Sequence, residues 1–204
     1  MPRVSDEHLD ARRRQIIDAA IVCFARDGFH RATMQDVCRE AHLSAGAIYR
    51  YFSSKDAIIE AIADERHARE AEFMELARSA GGGADGIRAL GRASFASLAD
   101  PDERLRRRLG LQVWAEALRN PRIHKLVMRG TRPPRVAMAQ MVREAQEAGE
   151  LADDIDPDSF ARAMLALFQG FILQQAWEPD ADVAAYLETA EAMVDALLPA
   201  RAGS

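Results

Sequence analysis

Apolar residues recur every three to four positions along nearly the whole chain, and no run of alternating β-branched residues interrupts them. This period predicts an all-α fold of about nine helices. The first helix is expected from about Ser5 to Asp27, with Ile17, Ala20, Ile21 and Phe24 as its buried stripe and Gly28 as a left-handed C-cap. Two short helices follow near 34–41 and 45–51, preceded by Thr33 and Ser44, whose hydroxyls can accept the orphan N–H groups of a helix start. A fourth helix is expected after Ser53, with Asp56 at its third position, and it runs through Ile58, Ile59, Ile62 and Ala63 toward Phe73 and Leu76. Gly81-Gly82-Gly83 ends it and reads as a flexible break.

Proline marks the later boundaries. Asp100-Pro101, Asn120-Pro121 and Asp156-Pro157 each place a capping side chain before a ring already set for the first helical turn. Pro133-Pro134 is expected to break or kink the helix that begins at Pro121. After Pro179 a last helix carries Val183, Tyr186, Leu187, Ala190, Met193, Val194 and Leu197 on one face. No internal repeat or low-complexity tract is present.

Composition narrows the class. With 204 residues, 49% apolar and 29% charged, the chain is expected to form a globular protein of one core, or of a small domain beside a larger one. The polar N-terminus has no signal-peptide core, and the most apolar stretch, Ala161 to Trp177, is broken by Arg162, Gln169, Gln174 and Gln175. No membrane association is therefore expected. Cys23 and Cys38 fit reduced thiols, and the expected location is cytoplasmic. The net charge of −5 is unevenly spread: residues 1–60 hold nine bases and nine acids, whereas residues 147–195 hold twelve acids against Arg162 alone. Any nucleic acid must therefore be met by a small local surface.

Residues 24–56 supply one. Two capped short helices separated by Ala41-His42-Leu43 have the layout of a helix-turn-helix, whose second helix can enter the major groove. Ala45, Gly46 and Ala47 allow close approach to DNA, while Tyr49, Arg50, Tyr51 and Lys55 carry donors suited to phosphate. Ile48 and Phe52 read as core. Three consecutive side chains cannot all face inward, so at least one of Tyr49, Arg50 and Tyr51 must be exposed.

From Ile16 to Ile62 the chain resembles the DNA-binding region of the TetR family of bacterial transcription regulators. The likeness is carried by Phe24, Gly28-Phe29, Thr33-Met34, Val37, Ala41, Leu43-Ser44, Gly46, Ile48-Tyr49, Tyr51-Phe52, Lys55-Asp56 and Ile58. It implies a three-helix, helix-turn-helix DNA-binding head over 1–54 and a larger helical-bundle body over 55–204 for ligand binding and dimerisation. It also implies a homodimer formed through the last two helices on a double-stranded, palindromic operator. By the same resemblance Thr33, Tyr49, Tyr51 and Lys55 correspond to phosphate contacts. Gln35, Ser44, Ala45, Gly46, Ala47 and Arg50 belong to the DNA-facing set, Gln35 and Arg50 being best equipped for bidentate base readout. His42 departs from the family's usual glycine and would have to adopt a left-handed conformation, and Cys38 takes the place of a small apolar residue.

In the body, Trp114, His124, Met128, Met138, Met141, Phe168, Phe171 and Trp177 are candidate walls for an apolar or amphipathic effector. Apolar residues wrap much of the circumference of 156–178, which suits a dimer interface with Gly170 at a close approach. The acidic excess either draws a cationic ligand or simply solvates the body. The five histidines lack metal-ligand spacing, and no phosphate-cradling glycine loop or nucleophile–base set stands out. No metal, cofactor or enzymatic activity is expected. The leading expectation is a repressor released by a small-molecule effector. The alternatives are an activator or effector-independent regulator of the same fold, and a helical enzyme or interaction module that has lost DNA binding.

Overall fold

A computed structural model describes residues 6–196; Ser5 and Leu197, each expected in a helix, lie outside that range. The described residues contain no strand and nine α-helices: α1 (Asp6–Asp27), α2 (Met34–Glu40), α3 (Ala45–Tyr49), α4 (Lys55–Ser79), α5 (Gly83–Ala96), α6 (Pro101–Ala117), α7 (Pro121–Glu147), α8 (Pro157–Trp177) and α9 (Val183–Asp195). A single 3-10 turn, Ser97–Ala99, links α5 to α6.

Helix boundaries follow local chemistry. Thr33 caps α2 in a full capping box with Asp36, and Ser44 caps α3 by accepting from the Ala47 N–H. Asn120, Asp156 and Asp182 cap α7, α8 and α9 in the same way. Three helices end in one motif, with the first residue past the cap left-handed and the next N–H returned to the last turn. Gly81 (φ 114) and Gly149 (φ 69) take that position after α4 and α7, and after α2 it falls to His42, with φ 53. There His42 N donates to Arg39 O and Leu43 N to Cys38 O, at 3.2 and 3.0 Å.

Four expectations are corrected. The cap of α4 is Ser54, whose Oγ accepts from Ala57 N at 3.1 Å, and not Ser53; burial of Phe52 carries the turn one residue further. The third helix is shorter than 45–51, ending at Tyr49, because the Tyr51 and Phe52 N–H groups both return to Ile48 O. Pro133 and Pro134 do not break α7. Interior proline costs about 3 kcal/mol, but buried Leu126 on one side and Met138 and Ala139 on the other anchor the helix through it. Gly81-Gly82-Gly83 is a defined turn rather than a slack one: all three have positive φ, and Glu144 and Glu150 accept from the N–H groups of Gly83 and Ala84 at the start of α5.

The chain forms two compact units. The first runs to Arg66 and takes up Leu105–Val127, a larger body than residues 1–54, because Leu109, Ile123 and Leu126 join Ile16, Ile17, Phe24, Val37, Ile48 and Ile58 in one core. The second comprises His67–Arg104 and the chain from Met128 onward. Its core gathers Ala77, Ile87, Leu90, Met138, Met141, Val142 and Phe160. Gly86 is required there: a Cβ would lie 2.8 Å from Met141 Sδ and 3.1 Å from the Ala77 carbonyl. Phe95, Phe168, Phe171 and Tyr186 form an aromatic cluster in the same unit, Phe171 and Tyr186 with centroids 4.0 Å apart.

Candidate nucleic-acid interface

The head is built around Val37 of α2 and Ile48 of α3, both fully buried, with Ala41 and Phe52 closing the core beside them. These positions fix the angle of α3 and determine which residues remain outside. Gln15 of α1 reaches across to the turn, its Nε2 donating to Ala41 O at 2.7 Å. The left-handed His42 then lets the chain reverse direction within the turn.

Of the residues assigned to DNA, Gln35, Ser44, Ala45, Gly46, Tyr49 and Arg50 are exposed, and Ala47 and Tyr51 are half-buried. Tyr49 is 53% exposed, a large value for an aromatic side chain in a small domain. A Cβ at Gly46 would meet nothing within 4 Å, so the start of α3 is open to an approaching surface. Ser44 Oγ accepts from Ala47 N, which leaves its hydroxyl proton free to donate. Tyr51 packs partly against the head core, together with Cys38, Met34 and Leu43.

Two candidate phosphate contacts are already engaged within the protein. Thr33 Oγ1 donates to Asp36 Oδ2 at 2.7 Å and accepts from Asp36 N at 3.2 Å. The Asp36 carboxyl is held below its usual range by Thr33, with Arg39 adding to the effect. Lys55 Nζ donates to the carbonyls of Phe29, Ala32 and His30 at 2.6, 3.1 and 3.3 Å, and sits 4.6 Å from the centroid of the Phe29 ring.

The α1–α2 loop is held from α6 as well, through residues the sequence reading did not single out. Gln112 Oε1 accepts from Phe29 N at 3.1 Å, and Glu116 Oε2 lies 2.8 Å from His30 Nε2 and 2.8 Å from Arg119 Nε. Arg119 first, then His30, holds the Glu116 carboxyl below the ordinary carboxylate range. A signal was present: Glu116 is a lone carboxylate within the otherwise apolar run Val113 to Leu118.

The eight candidate effector residues are divided between the two units. Trp114 and His124 fall in the first unit, Trp114 beneath the Arg66 guanidinium at 5.6 Å and His124 exposed. In the second unit Met128 is half-buried, Met138 and Met141 are core, and Phe168 and Phe171 belong to the aromatic cluster. Trp177 is 71% exposed. Helical periodicity placed all eight on apolar faces without showing which core each face joins. Among the described residues no group of three or more His, Cys, Asp or Glu could hold a metal ion, and no helix is long and apolar enough to cross a membrane.

Comparison with known proteins agrees with this geometry. Residues 16–62 match the family described as bacterial regulatory proteins, tetR family, and residues 83–199 match the BetI-type transcriptional repressor C-terminal family. The HTH-type transcriptional regulator UidR of Escherichia coli strain K12 is 29% identical over 92% of this chain and 93% of its own. Salmonella enterica GusR superposes with a TM-score of 0.75 at 26% identity, covering 97% of this chain and 99% of its own. A regulator from Saccharomonospora viridis, solved in complex with choline, shares the fold with a TM-score of 0.78 at 24% identity over 93% of this chain and 98% of its own. With family matches over both its helix-turn-helix head and its C-terminal body, the chain belongs to the TetR family and is a DNA-binding transcriptional regulator.

Proposed function

We propose that the protein is a ligand-responsive repressor that binds a palindromic operator as a homodimer and is released by a small-molecule effector. The observation that carries the DNA half of this reading is Tyr49 and Arg50, exposed side by side on a head whose Ile48 and Phe52 are buried. Arg50 and Gln35 read base edges. Ser44, Tyr49 and Tyr51 donate to phosphate oxygens, and Ala45, Gly46 and Ala47 let the backbone of α3 come close. Repression is supported by the match of residues 83–199 to BetI-type repressors.

The dimer half rests on α8. Ala163, Ala166, Gly170, Leu173 and Trp177 follow one another at three- and four-residue spacing, so they share a face. Leu173 and Trp177 are exposed there, and among the described residues no other element comes within 4 Å of a Cβ at Gly170. On α9 Met193 is 54% exposed. A second copy packed on these two helices covers this apolar surface and sets two heads on two half-sites.

The effector half assigns residues 1–54 to DNA and residues 55–204 to ligand and dimer, with the methionine-rich core of Met138 and Met141, and Met74 and Met164 packed on it, as the most adaptable region. The regulator of Saccharomonospora viridis was solved with choline, so a family member of this fold takes a small organic molecule. The effector acts only by the difference in its affinity for the operator-bound and free conformations.

The test is a titration of the DNA flanking the protein's own gene across a range of salt. Binding whose logarithm falls linearly with the logarithm of salt, and that weakens in Tyr49→Phe and Arg50→Ala, supports the reading. Equal affinity in the wild type and both variants rejects it.

A further inference from the structure

The ammonium of Lys55 is surrounded on every side from which it can donate. It has three N–H groups and no acceptor. Three loop carbonyls take them, those of Phe29, Ala32 and His30 at 2.6, 3.1 and 3.3 Å, and the Phe29 ring lies 4.6 Å from Nζ. No backbone N–H among the described residues serves these three oxygens, whereas the lysine reaches all three. Charge-assisted bonds of this kind are about twice as strong as neutral ones. A phosphate could recruit Nζ only by uncovering carbonyls of a half-buried loop.

The loop so held is where the head is assembled. It joins α1 to α2 and ends at Thr33, the cap of α2. Its one other long-range backbone tie among the described residues is the Phe29 N–H, taken by Gln112 of α6. Gly28, with φ 85, begins it, and Ala32, almost fully buried, closes it. The carbonyls of the segment thus converge on α4 and its amide on α6, so the direction in which α2 leaves α1 is set by Lys55 and Gln112 together.

We propose that Lys55 is a positioning residue: it fixes the α1–α2 loop, and through it α2 and the docked α3, and its ammonium is not a phosphate ligand. This inference rests on the DNA-binding reading of the head and alters the role of one of its residues.

The experiment compares wild type, Lys55→Met, Lys55→Arg and Arg50→Met in full-length protein. It reads the salt dependence of binding to a short labelled duplex of arbitrary sequence, and amide hydrogen exchange over residues 28–34. Loss of one phosphate contact lowers the slope of log affinity against log salt by about 0.9 per subunit. Positioning predicts that both Lys55 variants bind more weakly with the slope unchanged and that the loop amides exchange faster. Arginine fails along with methionine because a planar fork cannot converge on three carbonyls. On a duplex of arbitrary sequence the exposed Arg50 guanidinium meets phosphate instead of a specific base edge, so Arg50→Met lowers the slope by about 0.9 per subunit without loosening the loop.

A Lys55→Met slope reduced by about 0.9, with unchanged loop exchange and wild-type binding by Lys55→Arg, overturns the proposal. If Lys55→Met does not fold, Lys55→Arg alone decides between the two roles. If wild type shows no salt-dependent affinity and Arg50→Met changes nothing, the DNA-binding reading fails instead, and the exchange data still report whether Lys55 holds the loop.

Discussion

Glu116 of α6 lies 2.8 Å from the Nε2 of His30, a contact spanning 86 residues of sequence that ties α6 to the loop between α1 and α2. The carboxylate is nearly buried and also accepts from Arg119 Nε. Because it has no proton to give, the contact with His30 is a hydrogen bond only when Nε2 carries hydrogen. Arg119 and His30 lower the Glu116 pKa in the folded state. A depressed carboxylate stabilises the fold at every pH above its unfolded value of about 4.3 and loses that contribution as pH falls through its folded value. Glu116→Gln removes the charge and with it that pH dependence. The thermal midpoint of wild type should therefore fall more steeply than that of Glu116→Gln as pH is lowered from 5 to 3, and the variant should be less stable at pH 7. Parallel curves would show that the pair contributes nothing.

His42 is the one non-glycine residue among the described residues with positive φ. The same C-terminal position is filled by Gly81 after α4 and by Gly149 after α7. A side chain in that conformation costs roughly 1–2 kcal/mol, and glycine returns part of the difference through the entropy of its unfolded chain. His42→Gly should stabilise the protein by about 0.5–1 kcal/mol in urea unfolding, and His42→Val should destabilise it, since a β-branched residue is the least tolerant of positive φ. An unchanged midpoint in both would mean that the turn relaxes elsewhere.

That turn illustrates what the sequence discloses. The caps Thr33, Ser44 and Asp156, the left-handed Gly28 and the unusual conformation of His42 are all set by residues within a few positions of one another, and each was readable. Helical geometry required that at least one of Tyr49, Arg50 and Tyr51 be exposed, and Tyr49 and Arg50 both are. The engagement of Lys55 and the tie from Glu116 depend on contacts between distant segments, for which one sequence offers no ruler. The same reason leaves the surroundings of the effector residues out of reach of the sequence. Periodicity showed that Phe168 and Phe171 face a core, but not that Phe95 and Tyr186 fill the space before them. The prolines of α7 misled in the opposite direction, because local cost was read without the burial that outweighs it.

Gly130 of α7 and His67 of α4 are in such close apposition that a Cβ on the glycine would overlap the imidazole. Gly130→Ala must push the ring aside, and overpacking of this kind costs about 1–3 kcal/mol. The cost should largely vanish in the double variant Gly130→Ala/His67→Ala, where the methyl enters the vacated space. A double-mutant cycle by chemical unfolding measures the coupling. Additive effects would show that the ring swings away freely and that this contact does not fix the spacing of α4 and α7.

Trp177 gives the dimer proposal its sharpest test, because it can be changed without disturbing the subunit. The indole is 71% exposed and its neighbour on the same face, Leu173, 37% exposed, so neither holds the core of its own chain. Burial of an aromatic side chain at an interface contributes on the order of 2 kcal/mol or more, and a carboxylate in its place would be desolvated opposite its own symmetry mate. Leu173→Glu/Trp177→Glu should therefore sediment at half the mass of wild type while keeping its helical circular dichroism. Wild-type thermal stability should rise with protein concentration, and that of the variant should not, since only association carries the concentration term. The monomer should also bind an inverted-repeat duplex no better than a single half-site. If the double variant remains dimeric, or if wild type is a monomer at the outset, the outer face of α8 is not where two copies meet.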